Sequence, residues 1–343
     1  MTNPVLIEVT RGPLVESVHK GAVAVVTAAG ATILHIGDVA RPVFPRSSIK
    51  ALQCLPLIES GAADRFGYGN AEIALACASH TGTDRHAALA GQMLASLGLG
   101  EADLGCGAHM PLGSSAMKAL IRSGREPSQL HNNCSGKHAG MLATALHSGE
   151  AAEGYWQASH PVQRRVHKAL VELSGLPLGE DVMGLDGCSV PNWAMPLSTL
   201  ARTFARFVTG HGLSPDRRRA AERIAAACWA EPELVAGPGR ADTLVMRRLP
   251  GRVFMKTGAE GVYAGGFPEF GVGFALKIDD GTTRASAGAA MALVERIVPE
   301  ARGLMARKVL RSWRGIEVGE IRTAPALERA LERLDTVLTR ASA

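Results

Sequence analysis

Two short segments of the chain carry side chains suited to nucleophilic catalysis. Ser47 and Lys50 stand three positions apart, so one helical turn brings the amine beside the hydroxyl. A serine hydroxyl is a poor nucleophile until a base removes its proton, and a lysine amine serves as that base once it is neutral. Lys256 begins a Lys-Thr-Gly segment, and burial together with repulsion between two ammonium groups favours one neutral amine. The pattern predicts a hydrolase with a serine nucleophile and a lysine base.

A third segment, Ser79-His80-Thr81, lies between these two in the sequence. Penicillin-recognising enzymes carry Ser-x-x-Lys, Ser-Asp-Asn and Lys-Thr-Gly in this chain order, so only the middle motif is altered here. Ser79 follows a helical segment close to Gly82, which suits a side chain that faces a cleft. His80 is more typical of a hydrogen-bonded structural histidine than of an acid or base.

Each of these segments alone has an ordinary structural explanation. The hydroxyl of Ser47 or Ser48 would cap the helix that follows. Lys256 would extend its stem from a strand end to water, and Ser79 would be a linker residue. Their joint occurrence in one chain favours a shared serine–lysine site.

A run of polar and ligand-type side chains precedes another helical segment, and it includes Cys134, Lys137 and His138. Further along, Cys188 lies in a turn-rich segment beside Asp186. Spacing alone favours two buried thiols. If the thiols bind a cation such as zinc, His138 or Lys137 completes the set, and His138 is the ordinary choice because an amine must first lose its proton.

Composition and charge exclude several classes of protein. A chain of 343 residues with 46% hydrophobic residues fills a sizeable globular core. The formal charge of +5 is thinly spread. Its densest run, Arg217-Arg218-Arg219, opens an amphipathic segment and predicts a solvated helix face. Because no aromatic residues interleave with a wider basic stripe, we expect no nucleic-acid partner.

We expect a cytoplasmic protein that neither crosses nor binds a membrane. The first residues lack the charged, apolar and small-residue regions of an export signal. No apolar run reaches the roughly 18 residues that a membrane span needs. In a reducing compartment the six cysteines are buried thiols, ligands or nucleophiles rather than disulfides.

Strand signals cluster at both ends of the chain and predict one antiparallel sheet. Near the start they cover 5–9, 22–27 and 32–36, and near the end 252–256, 261–265 and 272–278. Segments with helical spacing lie between the clusters, and two more follow the second cluster, where they would cover the sheet. The helical spacing covers 85–97, 115–122, 137–147, 162–173, 198–208, 216–229, 289–297 and 326–338.

The predicted fold class is therefore α/β of the α+β kind, with an antiparallel sheet built from both chain ends, flanking helices and an inserted helical region. We found no linker rich enough in Pro, Gly or Ser to divide the chain. The prediction is one composite domain over 1–343, with a sheet part at 1–46 and 240–343 and a helical part at 47–239.

Five segments together resemble the rhizobial-type, or class 3, L-asparaginases, whose fold is similar to that of serine β-lactamases and serine-dependent glutaminases. The resemblance extends over nearly the whole chain. The segments are Pro45-Arg46-Ser47-Ser48-Ile49-Lys50, Cys77-Ala78-Ser79-His80, Asn133-Cys134-Ser135-Gly136-Lys137-His138, Asp186-Gly187-Cys188 and Lys256-Thr257-Gly258-Ala259-Glu260-Gly261.

The resemblance implies an amidohydrolase that converts L-asparagine to L-aspartate and ammonia through two serine–lysine tandems, Ser47 with Lys50 and Ser79 with Lys256. Which serine is the nucleophile stays open. It also implies a zinc site, which falls on Cys134, Lys137 and Cys188 and replaces His138 as the third ligand. The residues assigned to substrate binding are Arg46, His80, Asn133 and Asp186.

The resemblance further implies a homodimer. Because the middle motif departs from Ser-Asp-Asn, hydrolysis of β-lactams is doubtful. A glutaminase or β-lactam hydrolase of the same fold is the alternative activity, and a binding protein without turnover is the alternative class.

Overall fold

The computed structural model describes residues 2–305 and 308–341, with side chains up to residue 334. The strands are β1 (Val5–Arg11), β2 (Leu14–Thr27), β3 (Thr32–Ile36), β4 (Pro42–Val43), β5 (Met183–Leu185), β6 (Pro191–Trp193), β7 (Met195–Pro196), β8 (Phe254–Thr257), β9 (Val262–Phe267), β10 (Val272–Ile278), β11 (Lys308–Arg311) and β12 (Glu317–Thr323).

The helices of the described residues are mostly short. They are α1 (Lys50–Gln53), α2 (Leu55–Glu59), α3 (Ala62–Arg65), α4 (Asn70–Ala76), α5 (Asp84–Ser96), α6 (Ser114–Arg122), α7 (Ser135–His147), α8 (Pro161–Ser174), α9 (Leu197–Thr209), α10 (Pro215–Ala230), α11 (Pro232–Ala236), α12 (Ala241–Arg248), α13 (Thr283–Ile297) and α14 (Pro325–Ala341).

The chain forms two compact units. The sheet unit comprises the residues up to Ser48, Met195–His211 and the residues from Arg252 onward. The helical unit comprises Ile49–Ala194 and Gly212–Gly251. Whether the chain is one composite domain stays a prediction.

The sheet unit is built on an eight-stranded antiparallel sheet in the order β11-β12-β1-β2-β10-β9-β8, with β3 also paired to β2. The long strand β2 joins the two ends of the chain. Its first half pairs with β1, and its second half pairs with β10 in a register that sets Gly21 opposite Ile278. The predicted shared sheet, and with it the predicted fold class, is confirmed.

Apolar helices cover this sheet, as expected. The α9 helix contacts β2, β9 and β10, while α13 and α14 pack against strands that include β1. Phe204 and Phe207 of α9 lie beside Phe254 of β8, with ring centroids 6.1 and 5.2 Å apart. Each fully buried apolar side chain of this size contributes roughly 1.5–3 kcal/mol. The sequence predicts that 198–208 belongs to the helical part. In the structure this segment lies in α9, whose apolar face packs on the sheet.

Within the helical unit, α7 packs closely against α4. A Cβ atom at Gly136 would lie 2.4 Å from the Leu75 carbonyl oxygen, so only glycine fits there. This approach fixes the first turn of α7 beside the end of α4. Cys134 directly precedes that turn of α7, and Ser79 follows the end of α4.

The predicted strands and helices lie close to those observed, but β4 to β7, β11, β12, α11 and α12 carry no prediction. No strand pattern marks β11 and β12 in the sequence, although these strands extend the sheet beside β1. Most of their residues are half-buried, and Arg311 and Glu317 are exposed, so the two strands lack the apolar alternation of a covered strand. None of the described helices combines the length and apolar content needed to cross a bilayer.

The expectation of a solvated basic face on α10 is wrong for Arg217. Only 8% of its side chain is exposed, and the guanidinium donates to both carboxylate oxygens of Glu59, at 2.6 and 3.0 Å, and to Glu172. Arg218 points outward, as expected, and pairs with Glu222. Arg217 therefore links α10 to α2 and α8.

We predict that Arg217→Ala lowers the free energy of unfolding by about 2–3 kcal/mol. Breaking a buried ion pair costs about 3–5 kcal/mol, and the partial exposure of Glu59 and Glu172 reduces that figure. Urea denaturation measures the change. Arg218→Ala is the matched control and should shift stability by less than about 0.5 kcal/mol. Equal effects of the two variants would contradict the assignment.

Candidate active site

The Ser-x-x-Lys segment begins in a tight turn that separates the roles of its two serines. Arg46–Ile49 forms a 3-10 helix that runs into α1. The Ser48 hydroxyl is fully buried and donates to the Pro45 carbonyl oxygen at 2.7 Å, so it holds the turn. The Ser47 hydroxyl has no hydrogen-bond partner within the described sheet unit, and 8% of the residue is exposed. Ser47 is therefore the serine left available for chemistry.

The Lys-Thr-Gly segment lies against this same turn. Lys256, on β8, is fully buried and its Nζ donates to the Thr257 carbonyl oxygen at 3.2 Å. A Cβ atom at Gly258 would lie 2.8 Å from the Pro45 carbonyl oxygen, so the glycine permits the approach. The sheet unit thus brings the motif that follows β8 to the turn that carries Ser47.

Lys50 is fully buried at the start of α1, in the helical unit. Its Nζ donates to the carbonyl oxygens of Ala78, at 2.5 Å, and Asn133, at 3.2 Å. A buried amine needs such partners because desolvation is costly. These two bonds bring the Ser79 segment and the Cys134 segment to one point.

Ser79 follows the end of α4. Its backbone N–H donates to the Val235 carbonyl oxygen at 2.9 Å, which fixes the peptide. Its hydroxyl oxygen is buried and has no hydrogen-bond partner in the described helical unit. A buried, unpaired hydroxyl is rare and marks a place where a ligand or reacting group binds.

His80 is held by protein groups at both ring nitrogens. Nδ1 accepts from the Gly82 N–H at 3.1 Å, so Nε2 carries the proton and donates to Ser135 Oγ at 2.9 Å. The ring stacks on His86 with centroids 4.7 Å apart. Burial, together with His86, holds the pKa of His80 well below its usual range. The histidine is neutral and fixes the backbone beside Ser79.

The carbonyl of Asn133 is positioned by a residue that the sequence did not single out. His109 donates from Nδ1 to the Met110 carbonyl oxygen at 2.7 Å and accepts from the Asn133 N–H at its Nε2, at 3.1 Å. The neighbouring Asn132 accepts from the Cys134 N–H at 2.8 Å. No sequence motif marks His109, because its partners are backbone groups.

The thiol cluster forms between the first turn of α7 and the β5–β6 turn. Cys134 precedes α7, and Lys137 stands one helical turn later. The Lys137 Nζ lies 3.0 Å from Cys188 Sγ, and the Cys134 and Cys188 thiols hydrogen-bond each other. All three side chains are nearly completely buried. His138 pairs its Nδ1 with the Tyr155 hydroxyl at 2.6 Å, while its buried Nε2 has no partner among the described residues and the ring helps to lower the pKa of Cys188.

The charges in this cluster compensate each other. The hydrogen bond with Cys134, opposed by burial and aided by Lys137, holds the pKa of Cys188 far below its usual range. The same bond, with burial, raises the pKa of Cys134. Burial alone would lower the pKa of Lys137. The charges of Cys188, Cys134 and Asp186 outweigh the effect of burial, so the net shift of this pKa is upward. These pKa shifts favour a negative charge on Cys188 beside a positive charge on Lys137.

These donors fit a soft or borderline cation, since two sulfurs and one amine converge in a dry site. The described residues contain no group of three His, Cys, Asp or Glu side chains placed to hold a metal ion. Here the third member is a lysine. Asp186 is near enough to raise the pKa of Lys137 and also accepts from the Gly187 N–H.

The predicted residues thus fall into two sets. The sheet unit holds Arg46, Ser47 and Lys256, and the helical unit holds Lys50, Ser79, His80, Asn133, Cys134, Lys137, Asp186 and Cys188. Within each unit the residues named above lie close to one another. Pairings that join the two sets stay predictions.

Comparison with known proteins identifies the family of the chain. The model of the family described as L-asparaginase II matches residues 7–323. The chain belongs to the L-asparaginase II family, and it is an amidohydrolase of that family. This confirms the resemblance seen in the motifs. No curated protein sequence matches the chain.

Similar solved structures share little sequence with the chain. A β-lactamase from Mycobacterium bovis is 14% identical over 82% of this chain and 94% of its own, with a TM-score of 0.40. A D-alanine carboxypeptidase from Burkholderia cenocepacia is 13% identical over 78% and 90%, with a TM-score of 0.38. A class C β-lactamase from Rhodobacter sphaeroides is 15% identical over 78% and 92%, at 0.35. Scores this low carry no inference about mechanism.

We predict that stability declines as pH falls below about 6.5, partly through His80. Its folded-state pKa is depressed, so the unfolded chain takes up the proton first as pH falls through the ordinary value. Urea denaturation between pH 8 and 5 measures the slope. His80→Gln should flatten it, while substitution of the exposed His35 should leave it unchanged. A slope unaffected by His80→Gln would contradict the prediction.

Proposed function

We propose that the protein hydrolyses L-asparagine to L-aspartate and ammonia, with Ser47 as nucleophile and Lys50 as its base. Membership of the L-asparaginase II family supports the substrate class. The observation that carries the mechanism is the buried Lys50 amine, fixed by the carbonyl oxygens of Ala78 and Asn133.

The proposed base is the neutral form of Lys50, and the two carbonyl contacts would orient its lone pair. A neutral amine has two N–H donors and one lone pair, and both donors are taken by carbonyl oxygens. The lone pair is then the remaining site, free to accept the proton of a hydroxyl. Ser47, three positions earlier, is the serine whose hydroxyl is not used by the turn.

In the proposed reaction Ser47 Oγ bonds to the side-chain amide carbon of asparagine as its proton passes to Lys50 Nζ. Collapse of the tetrahedral intermediate breaks the C–N bond, and the nitrogen leaves as ammonia with that proton. Water then hydrolyses the ester and releases aspartate. Backbone N–H groups near Ser47 would stabilise the oxyanion.

Ser79 and Lys256 form the second tandem of the proposal, relaying protons or holding the intermediate. The unpaired Ser79 hydroxyl and the burial of Lys256 support this role. His80, which has no free ring nitrogen, would act on substrate through the position of Ser79. Arg46, Asn133 and Asp186 complete the proposed substrate-binding set.

We also propose that Cys134, Lys137 and Cys188 hold zinc. The amine of Lys137, 3.0 Å from Cys188 Sγ, supports this set, and the described residues hold no group of three His, Cys, Asp or Glu side chains placed to bind a metal. When bound, the ion would supply positive charge for orienting substrate. The proposed setting is a homodimer in the cytoplasm, and unpaired cysteines throughout the described residues suit that compartment.

We expect the purified protein to release ammonia from L-asparagine, and Ser47→Ala to lower kcat by about 10³-fold or more. Ser48→Ala is the matched control, because its hydroxyl only holds the Pro45 turn, and it should stay within about tenfold. Steady-state ammonia assays measure both. Normal turnover by Ser47→Ala would remove Ser47 from the nucleophile's place.

The same assay with L-glutamine, and a chromogenic β-lactam in parallel, tests the substrate. Faster release from glutamine would make the protein a glutaminase, and faster opening of the β-lactam would make it a β-lactam hydrolase. No turnover of any of the three, with unreactive serines, would indicate a binding protein.

The zinc proposal predicts about one zinc per chain in protein purified without chelators. Cys134→Ala should lose the metal, because it removes one of the two sulfur ligands. Cys228→Ala, at another buried cysteine, should keep it. Elemental analysis measures all three proteins, and zinc retained by Cys134→Ala would refute the ligand set.

A further inference from the structure

We infer that a cavity in the helical unit, separate from Lys50 and Ser79, binds a small oxyanion. The oxyanion is a carboxylate or a phosphate attached to a short apolar chain. The cavity has a volume of about 540 Å³, and neither Lys50 nor Ser79 lines it. The inference does not depend on the proposed asparaginase activity.

Three helices begin at this cavity. Residues at the starts of α5, α6 and α12 line it, among them Thr83, Ser114 and Arg240. A helix N-terminus presents unpaired N–H groups and a partial positive charge of about half a unit. Three such ends around one space favour an anion there, although helix ends alone do not establish a site.

The start of α6 has no side-chain cap. The first intrahelical bond runs from the Met117 N–H to the Gly113 carbonyl oxygen, so the N–H groups of Ser114, Ser115 and Ala116 precede it. Ser114 and Ser115 are exposed and line the cavity. Their hydroxyls add donors beside these N–H groups.

His131 supplies an independent sign of a ligand. The residue is 92% buried, since its exposed fraction is 8%, and it lines the cavity. Its Nδ1 accepts from the Ser128 N–H at 3.1 Å, so the proton sits on Nε2. Nε2 has no hydrogen-bond partner among the described residues. Because the residue is nine-tenths buried in the cavity wall, an acceptor inside the cavity would satisfy this unpaired Nε2 donor.

Thr81 adds a second buried polar group to the same wall. Its exposed fraction is 8%, and its hydroxyl oxygen has no partner in the described part of the chain. A Cβ atom at Gly113 would lie 3.5 Å from this oxygen, which places it at the head of α6. Both orphaned groups can donate, which favours an oxyanion.

The charged side chains of the lining also permit an anion. Arg240 makes no ion pair with any described residue and is free to bind one. Asp84 is the opposing charge, but its carboxylate is largely exposed and faces Arg125 at 3.4 Å. The remaining wall includes Leu112, Ala116, Ala119 and Leu120, which suits a short apolar chain on the ligand.

Calorimetric titration of the full-length protein with butyrate, monobutyl phosphate and uncharged butyramide tests the site. We expect binding of at least one anion, with butyramide about tenfold weaker or more. Comparing the two anions shows whether the site prefers a carboxylate or a phosphate. Arg240→Gln should weaken anion binding about tenfold or more, because it removes a charge-assisted hydrogen bond.

Arg122→Gln is the matched control, because this exposed arginine ends α6 and does not line the cavity. It should bind like the wild type, as should a Ser47→Ala protein. Ala116→Leu fills the apolar wall, and it should weaken butyrate binding more than binding of inorganic phosphate. No binding of either anion, or equal losses in Arg240→Gln and Arg122→Gln, would overturn the inference.

Discussion

The buried amine of Lys50 is the constraint on which the helical unit depends. A lysine cannot be removed from water without partners, and its partners here are two backbone carbonyls from distant parts of the sequence, Ala78 and Asn133. The peptides that carry those carbonyls are held in turn, because the Ser79 N–H donates to the Val235 carbonyl oxygen and the Asn133 N–H donates to His109 Nε2. The need of the Lys50 amine for hydrogen-bond acceptors therefore fixes the positions of the Ser79-His80 segment and the Cys134 segment.

Backbone strain follows the same segments. Among the described residues, the non-glycine residues with positive φ are Arg46, Ser189 and Glu260, at 52°, 76° and 56°. They adjoin Ser47, adjoin Cys188 and follow the Lys-Thr-Gly motif, respectively. A left-handed conformation costs a residue with a Cβ on the order of 1–2 kcal/mol, so neighbouring contacts must offset it. Strained residues of this kind cluster at functional sites, and here they flank three of the motifs.

The sequence predicted what rests on local patterns and motifs, and it missed what rests on distant partners. Helical spacing located α5 to α10, and the motifs located Lys50 and the thiols, because residue type and spacing carry that information. It missed β11 and β12, whose strands are only half-buried, and the burial of Arg217, whose partners Glu59 and Glu172 lie far away in the chain. The sequence did not single out His109, because hydrogen bonds to the backbone of Met110 and Asn133 require no particular residue type at those positions.

The pairing of β2 with β10 also governs how the chain is made. Strand β2 emerges from the ribosome early, yet its second half has no β10 to pair with until Ile278 has been synthesised. Over that interval its buried residues, Ala22 to Val26, form an apolar edge without a cover. Completing such non-local pairing is slow and exposes the nascent chain to aggregation. Because β2 and β10 lie far apart in the sequence, closing the sheet between them is a late step in folding.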